Sequence, residues 1–160
     1  MLCIVPAISE GAIAQARNLF REYAAIPGVA PCLENFEKEV VALPGAYAPP
    51  DGRLLLAIRE GAGSAEEAIG CAALRRLEAD ACELKRLYVR PALRGEGAGR
   101  QLVKALIAEA RSIGYQRLLL DTLPSMQEAH KLYRTLRFRE IPAYRKDAVP
   151  ESLFFELSLY

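Results

Sequence analysis

This chain of 160 residues has almost no histidine: His130 is the only one. A metal centre built from several histidines is therefore excluded. Cysteine is scarce too, and no two cysteines form the C-x-x-C pair that is typical of zinc sites and redox centres. We therefore expect no bound metal, and we expect small buried thiols in a reducing compartment, the cytoplasm. The four cysteines are Cys3, Cys32, Cys71 and Cys82.

Long apolar runs and an excess of one charge are also lacking. No segment is apolar for the length that spans a bilayer, and the first residues do not resemble a signal peptide. The 21 Lys and Arg nearly balance the 20 Asp and Glu, so no global field attracts nucleic acid or an anionic membrane. Because 52% of the residues are apolar, we expect residues 1–160 to form a single domain with a full core.

The local patterns predict an α+β fold, because strands joined by short links give way to strands separated by long helices. The links favour an antiparallel meander, followed by a mixed, mostly antiparallel sheet flanked by about four helices. The predicted strands are residues 2–5, 53–60, 68–77, 82–89, 117–123 and about 154–159, with one more near 138–141. The first predicted helix begins after Ser9 and ends before Pro27. The other predicted helices cover residues 33–43, about 97–113 and about 125–136.

The most informative segment is the loop before the third helix, where Gly95, Gly97 and Gly99 occupy alternate positions. Glycine lets successive backbone N–H groups turn toward one point. The start of the helix adds unpaired N–H groups and the positive end of its dipole. Arg94 and Arg100 add positive charge at the two ends of the loop. The segment therefore predicts a site for a phosphate or a pyrophosphate.

Two common phosphate loops fit this segment poorly. A P-loop needs Lys-Ser or Lys-Thr after the glycines, and neither is present. A dinucleotide-binding G-x-G-x-x-G would place its third glycine at Arg100 or Leu102, so a Rossmann-type nucleotide binder is a disfavoured alternative. A third alternative gives the glycines no ligand at all and makes them a flexible turn before a helix.

Read as Arg94-x-x-Gly97-x-Gly99, the loop resembles the [RQ]-x-x-G-x-[GA] loop of the GNAT N-acetyltransferases. Residues 125–138 are similar to that family's N-x-x-A-x-x-L-Y-x-x-x-G-F stretch. The resemblance implies a GNAT-like domain that uses acetyl-CoA, with the pyrophosphate on the loop amides and the pantetheine arm along the preceding strand. The implied coenzyme-binding residues are Leu87, Tyr88, Val89, Arg94, Gly95, Glu96, Gly97, Ala98, Gly99 and Arg100.

Within the second stretch, Tyr133 falls on the family's tyrosine. The resemblance implies that Tyr133 is the general acid that protonates the leaving thiolate; the alternative is a core aromatic on a helix face. Met126 replaces the family's asparagine, which predicts the loss of a polar contact to the pantetheine arm. Arg137 replaces its glycine, so we expect a non-glycine residue in a left-handed turn. His130 is expected to be solvated or close to the coenzyme.

The acceptor side has one candidate base. The resemblance suggests that Glu83 deprotonates the amine through water; the alternative is a surface charge paired with Lys85 or Arg86. A backbone N–H of residues 87–89 is the implied donor to the developing oxyanion, and Tyr88 lines the cleft if its strand does not bulge. The Lys85-Arg86 pair, like residues 75–76, either binds an acidic acceptor group or forms a solvated sheet edge.

These features predict an acyltransferase that moves an acetyl group from acetyl-CoA to a primary amine by direct attack in a ternary complex. The acceptor is expected to be a small molecule, with no nucleic acid or membrane as partner, and the chain is expected to be a monomer or a homodimer. The alternative is a non-catalytic coenzyme A-binding sensor or regulatory module. Such a module has no need of Tyr133, so the presence of Tyr133 favours the enzyme.

Overall fold

The computed structural model describes residues 1–29, 35–60 and 66–160. Within these ranges it has seven strands and four α-helices. The strands are β1 (Leu2–Pro6), β2 (Arg53–Arg59), β3 (Glu67–Glu78), β4 (Ala81–Val89), β5 (Arg117–Thr122), β6 (Arg139–Ile141) and β7 (Leu153–Ser158). The helices are α1 (Glu10–Ala24), α2 (Phe36–Ala42), α3 (Ala98–Ile113) and α4 (Gln127–Thr135), and short 3-10 turns cover Gly45–Tyr47 and Pro91–Leu93.

The strands form one sheet in the order β1-β2-β3-β4-β5-β7-β6. Neighbouring strands are antiparallel except β4 and β5, which are parallel. The predicted α+β fold with its meander is therefore confirmed, and the additional strand expected near residues 138–141 is β6. None of the described helices is long and apolar enough to cross a membrane.

The two faces of the sheet are covered by different helices. On one face, α1 buries Leu19 and Phe20 completely against β2, β3 and β4. On the other face, α3 buries Leu102 and Leu106, which stand one helical turn apart and share its apolar stripe. Full burial of each such leucine stabilises the fold by about 2 kcal/mol. These two apolar layers hold the middle of the sheet, and with it β4, in a fixed position.

The sheet opens between β4 and β5. Their parallel pairing begins at Ala81 and Arg117 and ends at Glu83 and Leu119. Beyond those residues the described parts of the two strands are not paired with each other, although β5 stays paired with β7 along its whole length. The two strands therefore diverge, and each presents an inner edge of backbone N–H and C=O groups to the opening.

The helix boundaries differ from the predictions by a few residues. Ser9 caps α1 as predicted, since its hydroxyl accepts a hydrogen bond from the Ala12 N–H at 3.2 Å. The helix predicted over residues 33–43 corresponds to α2. Residues 33 and 34 of that prediction lie outside the described residues. Cys32 and residues 61–65 of the predicted connection also lie outside them. The last helix begins at Gln127 rather than 125, because Met126 has non-helical backbone angles.

Arg137 ends α4 in the left-handed conformation that was expected of it, with φ 72°. This turn lets the Phe138 N–H donate to the Tyr133 carbonyl at 3.0 Å and returns the chain to the core. A side chain in this conformation is strained, so we expect Arg137→Gly to raise the free energy of unfolding by about 1 kcal/mol. Urea unfolding measures the change. Arg137→Ala is the control, because it removes the same exposed side chain and keeps the strain; an equal gain in both variants would show that the backbone is not the cause.

Candidate active site

A cavity of about 60 Å³ lies in the opening between β4 and β5. One wall is β4 itself, and another is the end of β5 with the first turns of α4. The charged segment after β6 and one residue of α1 complete the lining. The lining residues are Tyr23, Leu84, Lys85, Arg86, Leu87, Asp121, Thr122, Leu123, Met126, Ala129, Tyr133 and Arg145.

Tyr133, the predicted general acid, lies in the wall of this cavity. Its side chain is 4% exposed, and its ring packs between Phe138 and Phe155 at centroid distances of 5.5 and 5.8 Å. Burial raises the pKa of Tyr133 well above its ordinary value. The phenol therefore stays protonated, which is the state that a proton donor needs before the reaction.

The glycine loop has the backbone that a phosphate site requires. Gly95 and Gly97 both have φ 88°, and a Cβ built on either would meet no atom within 4 Å. Gly97 is the N-cap of α3, with no capping hydrogen bond from a side chain and no acidic residue in the first turn. The positive end of a helix of 16 residues therefore faces open space beside the loop.

The other predicted loop residues have separate local roles. Arg94 is exposed, and its Nε donates to the Val89 carbonyl at 2.8 Å, which closes the loop onto the end of β4. Arg100 donates to the Thr135 hydroxyl at 3.1 Å and so ties the start of α3 to α4. Glu96 is exposed and pairs with Arg59 at 3.5 Å. Ala98 is buried, so its side chain belongs to the core and only its backbone N–H is available to a ligand.

The strand before the loop bulges. Lys85 pairs with Ala73, and Tyr88 pairs with Cys71, so β4 has one more residue than β3 over this stretch. Arg86 carries the distortion, with φ 60°. A bulge inverts the alternation of side chains along a strand. Tyr88 therefore points away from the cavity, whereas in a regular strand it would point toward it.

The side chains after the bulge point in different directions. Leu87 lines the cavity. Tyr88 packs on the α1 side, where its hydroxyl donates to Glu22 at 3.2 Å. Val89 packs in the core beneath α3, on the opposite side. A ligand in the opening therefore meets this stretch mainly through the Leu87 side chain and the backbone, and the predicted role of the residue 87–89 amides concerns that backbone.

Arg86 is not on a solvated sheet edge, which corrects that alternative. Its side chain is 10% exposed and donates two hydrogen bonds to Glu39 of α2, at 2.9 and 3.2 Å. Its guanidinium also lies over the rings of Tyr23 and Phe36, 5.9 and 5.7 Å from their centroids. Arg86 therefore fastens α1 and α2 to the bulge, and it is not the partner of Glu83.

Glu83, the predicted base, has no exposed surface, so the surface-charge alternative is wrong. Its Oε1 accepts from Arg75 at 2.8 Å, and its Oε2 accepts from the Tyr144 hydroxyl at 2.5 Å. Arg145 lies 3.7 Å and Lys85 4.0 Å away. Burial acts to raise the pKa of Glu83, but Lys85, Tyr144 and the two arginines outweigh it, so the pKa lies below its ordinary value. The carboxylate stays ionised, and its role as a base remains a prediction.

The comparisons with known proteins identify this arrangement. The acetyltransferase (GNAT) family profile matches residues 14–138. The chain belongs to the GNAT family. An uncharacterized N-acetyltransferase of Schizosaccharomyces pombe is 33% identical over 144 residues, covering 89% of this chain and 86% of the relative. This confirms the family that the loop and the tyrosine stretch predicted, and with it the enzyme class, acetyltransferase.

Two solved structures share the GNAT fold with this acetyltransferase. One is an acetyltransferase of the GNAT family from Staphylococcus aureus Mu50, with a TM-score of 0.81, 17% identity and complete coverage of both chains. The other is yncA from Salmonella typhimurium, solved with its cofactor acetyl-CoA. It has a TM-score of 0.77 and 19% identity, and the match covers 100% of this chain and 95% of that one.

Met126, the N-cap of α4, and His130, within α4, both lie close to the end of β5. Met126, where the family motif has asparagine, lines the cavity with a thioether instead of an amide. His130 is buried, with its Nε2 2.9 Å from the Leu123 carbonyl, so the solvated alternative is wrong, and a position close to the coenzyme stays a prediction. This bond holds the start of α4 against the end of β5.

Sequence reasoning missed the segment after β6. Tyr144 contacts Glu83, and Arg145 donates to Asp121 at 2.7 Å. Both residues lie in an irregular stretch with no helical or strand period, so no local signal marks them. We call Arg75, Glu83, Lys85, Asp121, Tyr144 and Arg145 the charge cluster, since it joins β3, β4, β5 and this segment.

Proposed function

We propose that this acetyltransferase moves an acetyl group from acetyl-CoA to a primary amine by direct attack in a ternary complex. One observation carries the proposal: Tyr133, buried and protonated, lines the opening between β4 and β5 beside the glycine loop. The Arg100–Thr135 hydrogen bond keeps the loop next to the helix that bears Tyr133. The fold shared with yncA, which was solved with acetyl-CoA, supports the same cosubstrate.

The residues present fit coenzyme A. The open φ-positive backbone at Gly95 and Gly97, with the start of α3, suits the pyrophosphate. The inner edge of β4 beyond Glu83 suits an extended arm that carries amides. Acetyl-CoA supplies an activated acetyl group as a thioester. The arm would place that group in the cavity that Leu87 and Tyr133 line.

The chain's own groups meet the needs of acetyl transfer. As the N–C bond forms and the C–S bond breaks, a backbone N–H of residues 87–89 donates to the developing oxyanion. Tyr133 gives its proton to the departing sulfur. The amine must lose a proton to attack, and Glu83 remains the proposed base, acting through water.

The proposal includes a small-molecule acceptor and a monomeric or homodimeric enzyme in the cytoplasm. A net charge of +1 supports an acceptor other than nucleic acid. Free thiols at Cys3, Cys71 and Cys82 support a reducing compartment.

Isothermal titration with acetyl-CoA tests the loop assignment, with NAD and ATP as control ligands. We expect saturable binding of acetyl-CoA alone, weakened by about tenfold or more in Gly97→Trp, because the indole would occupy the space beside the helix start. Gly114→Trp is the matched control. Gly114 ends the same helix, also has a positive φ, and also faces open space. Equal weakening in both variants, or tighter binding of NAD, would contradict the assignment.

A screen of primary amines then separates the enzyme from the non-catalytic alternative. Release of free coenzyme A in proportion to amide product supports transfer. Tight binding of acetyl-CoA without product from any amine favours a sensor or regulatory module.

A further inference from the structure

The cavity contains a buried ammonium that the protein does not fully pair. Lys85 is 9% exposed and lines the cavity with Tyr133. Its nearest carboxylate oxygens are Asp121 Oδ1 at 3.8 Å and Glu83 Oε1 at 4.0 Å. Both distances exceed a hydrogen bond, so among the described residues Lys85 Nζ has no carboxylate in hydrogen-bond contact. A desolvated ammonium in this state favours an additional anionic partner.

The two acids are committed to other residues. Glu83 is held by Arg75 at 2.8 Å and by Tyr144, and Asp121 is held by Arg145 at 2.7 Å. The cluster thus has three cations against two buried carboxylates. Asp147 lies 3.7 Å from Arg145 but is 82% exposed, so water screens its charge. Arg86, the neighbouring cation, is neutralised by Glu39.

Arg145 is the second cation beside Lys85 in the cavity lining. Arg145 donates to Asp121 Oδ2 at 2.7 Å, and Lys85 Nζ lies 3.8 Å from Asp121 Oδ1, so the two cations share this carboxylate. Two cations on one largely buried carboxylate leave positive charge for an anionic ligand.

The oxygens of a carboxylate match this pair of donors, an ammonium and a guanidinium. The cavity is small and also contains the proposed acid, so this carboxylate must lie close to the amine that is acetylated. An α-amino acid has both groups on one carbon.

On the basis of the proposed acetyl transfer, we propose that the acceptor is a free α-amino acid whose carboxylate is bound by Lys85, with Arg145 beside it. The N–C bond forms as the C–S bond breaks, and the nitrogen loses a proton to Glu83 through water. The sulfur gains a proton from Tyr133, which solvent reprotonates while Glu83 releases its proton. The products are an N-acetyl amino acid and coenzyme A.

Matched pairs of acceptors test the proposal directly. Each common amino acid is assayed against the amine that lacks only its carboxylate, and the release of coenzyme A is followed. For the preferred side chain, we expect kcat/KM to be about tenfold or more higher for the amino acid than for the amine. Equal rates, or a preference for the amine, overturn the proposal.

The variants assign the preference to residues. In Lys85→Met we expect the ratio of kcat/KM for the amino acid to kcat/KM for its matched amine to fall about tenfold. The ratio is used because Lys85 also lies 4.0 Å from the proposed base, so the rate with the amine itself can change. Lys104→Met, at an exposed lysine on α3, is the control. An equal loss with both acceptors in Lys85→Met overturns the assignment.

Failure of this inference can be told apart from failure of the proposed function. If acetyl-CoA does not bind, the proposed function fails. If acetyl-CoA binds and amines are acetylated without a carboxylate preference, only the amino-acid inference fails. A titration that needs no turnover completes the test. If none of the common amino acids binds to the coenzyme A-loaded protein, the amino-acid inference is also overturned.

Discussion

Tyr133→Phe should lower kcat by about 100-fold or more while acetyl-CoA binds as tightly as before. The substitution removes one oxygen and leaves the ring between Phe138 and Phe155. The departing thiolate then has no positioned proton donor, and the loss falls on the chemical step. Steady-state kinetics with a saturating amine and titration with acetyl-CoA measure the two quantities.

Tyr115→Phe is the matched control for this experiment. Tyr115 is also buried in the core, but its hydroxyl donates to the Asp51 carbonyl at 2.8 Å, away from the cavity. We expect Tyr115→Phe to cost some stability and to leave kcat unchanged. If Tyr133→Phe kept the wild-type kcat, Tyr133 would be the core aromatic that the sequence left open.

Glu83→Gln should lower the free energy of unfolding at pH 7 by about 3 kcal/mol, because it leaves buried cations without their anion. Arg75, Lys85 and Arg145 all lie within 4.0 Å of this carboxylate. Glu78→Gln is the control, since Glu78 pairs with Arg117 at 3.0 Å but is 63% exposed. For Glu78→Gln we expect a loss below about 1 kcal/mol. Urea unfolding of both variants checks the difference.

The pH dependence of this loss has a definite sign. The pKa of Glu83 in the folded protein lies below 4.5, its ordinary value, because nearby cations and Tyr144 outweigh burial. The stabilisation is therefore fully present above pH 4.5 and is lost as the pH falls from there through the lower folded value. The difference in the free energy of unfolding between wild type and Glu83→Gln should therefore decrease over that acidic pH range. A difference in the free energy of unfolding that increased on acidification would contradict the lowered pKa of Glu83.

A catalytic role for Glu83 makes a separate prediction with the same variant. If Glu83 is the base, Glu83→Gln abolishes the acidic limb of the kcat/KM profile, measured on the folded fraction. If its role is only to hold the charge cluster, the limb persists. Stability and pH profile together therefore separate the two roles.

The sequence predicted the features that depend on local pattern. The loop around Gly97 and the left-handed Arg137 follow from residues that are neighbours in the chain, and both are present. The structure also places Tyr133 in the wall of the cavity, and its predicted position near the coenzyme sulfur stays a prediction. Periodicity predicted the succession of strands and helices along the chain, because most of them bury a face that is apolar in the sequence itself.

The sequence did not predict features that depend on distant partners. A glutamate in a strand suggests a solvated charge, whereas Glu83 is buried and accepts a hydrogen bond from Tyr144, 61 residues later. Arg86, at the bulge, likewise donates to Glu39, 47 residues earlier. An arginine has no intrinsic preference for φ 60°, so the sequence around Arg86 does not mark this conformation.

Because β4 and β5 diverge, the backbone groups along their inner edges determine which ligands the opening can bind. Each inner edge offers the donors and acceptors that a further strand would satisfy, so the opening discriminates in favour of an extended chain with amides of its own. A lipid or a flat aromatic would bury those groups unpaired. A molecule that pairs with them becomes a member of the sheet, and the folded state then gains stability in step with that molecule's concentration. Under the proposed function that molecule is acetyl-CoA, and the stability of the folded enzyme would then rise with the concentration of its cosubstrate.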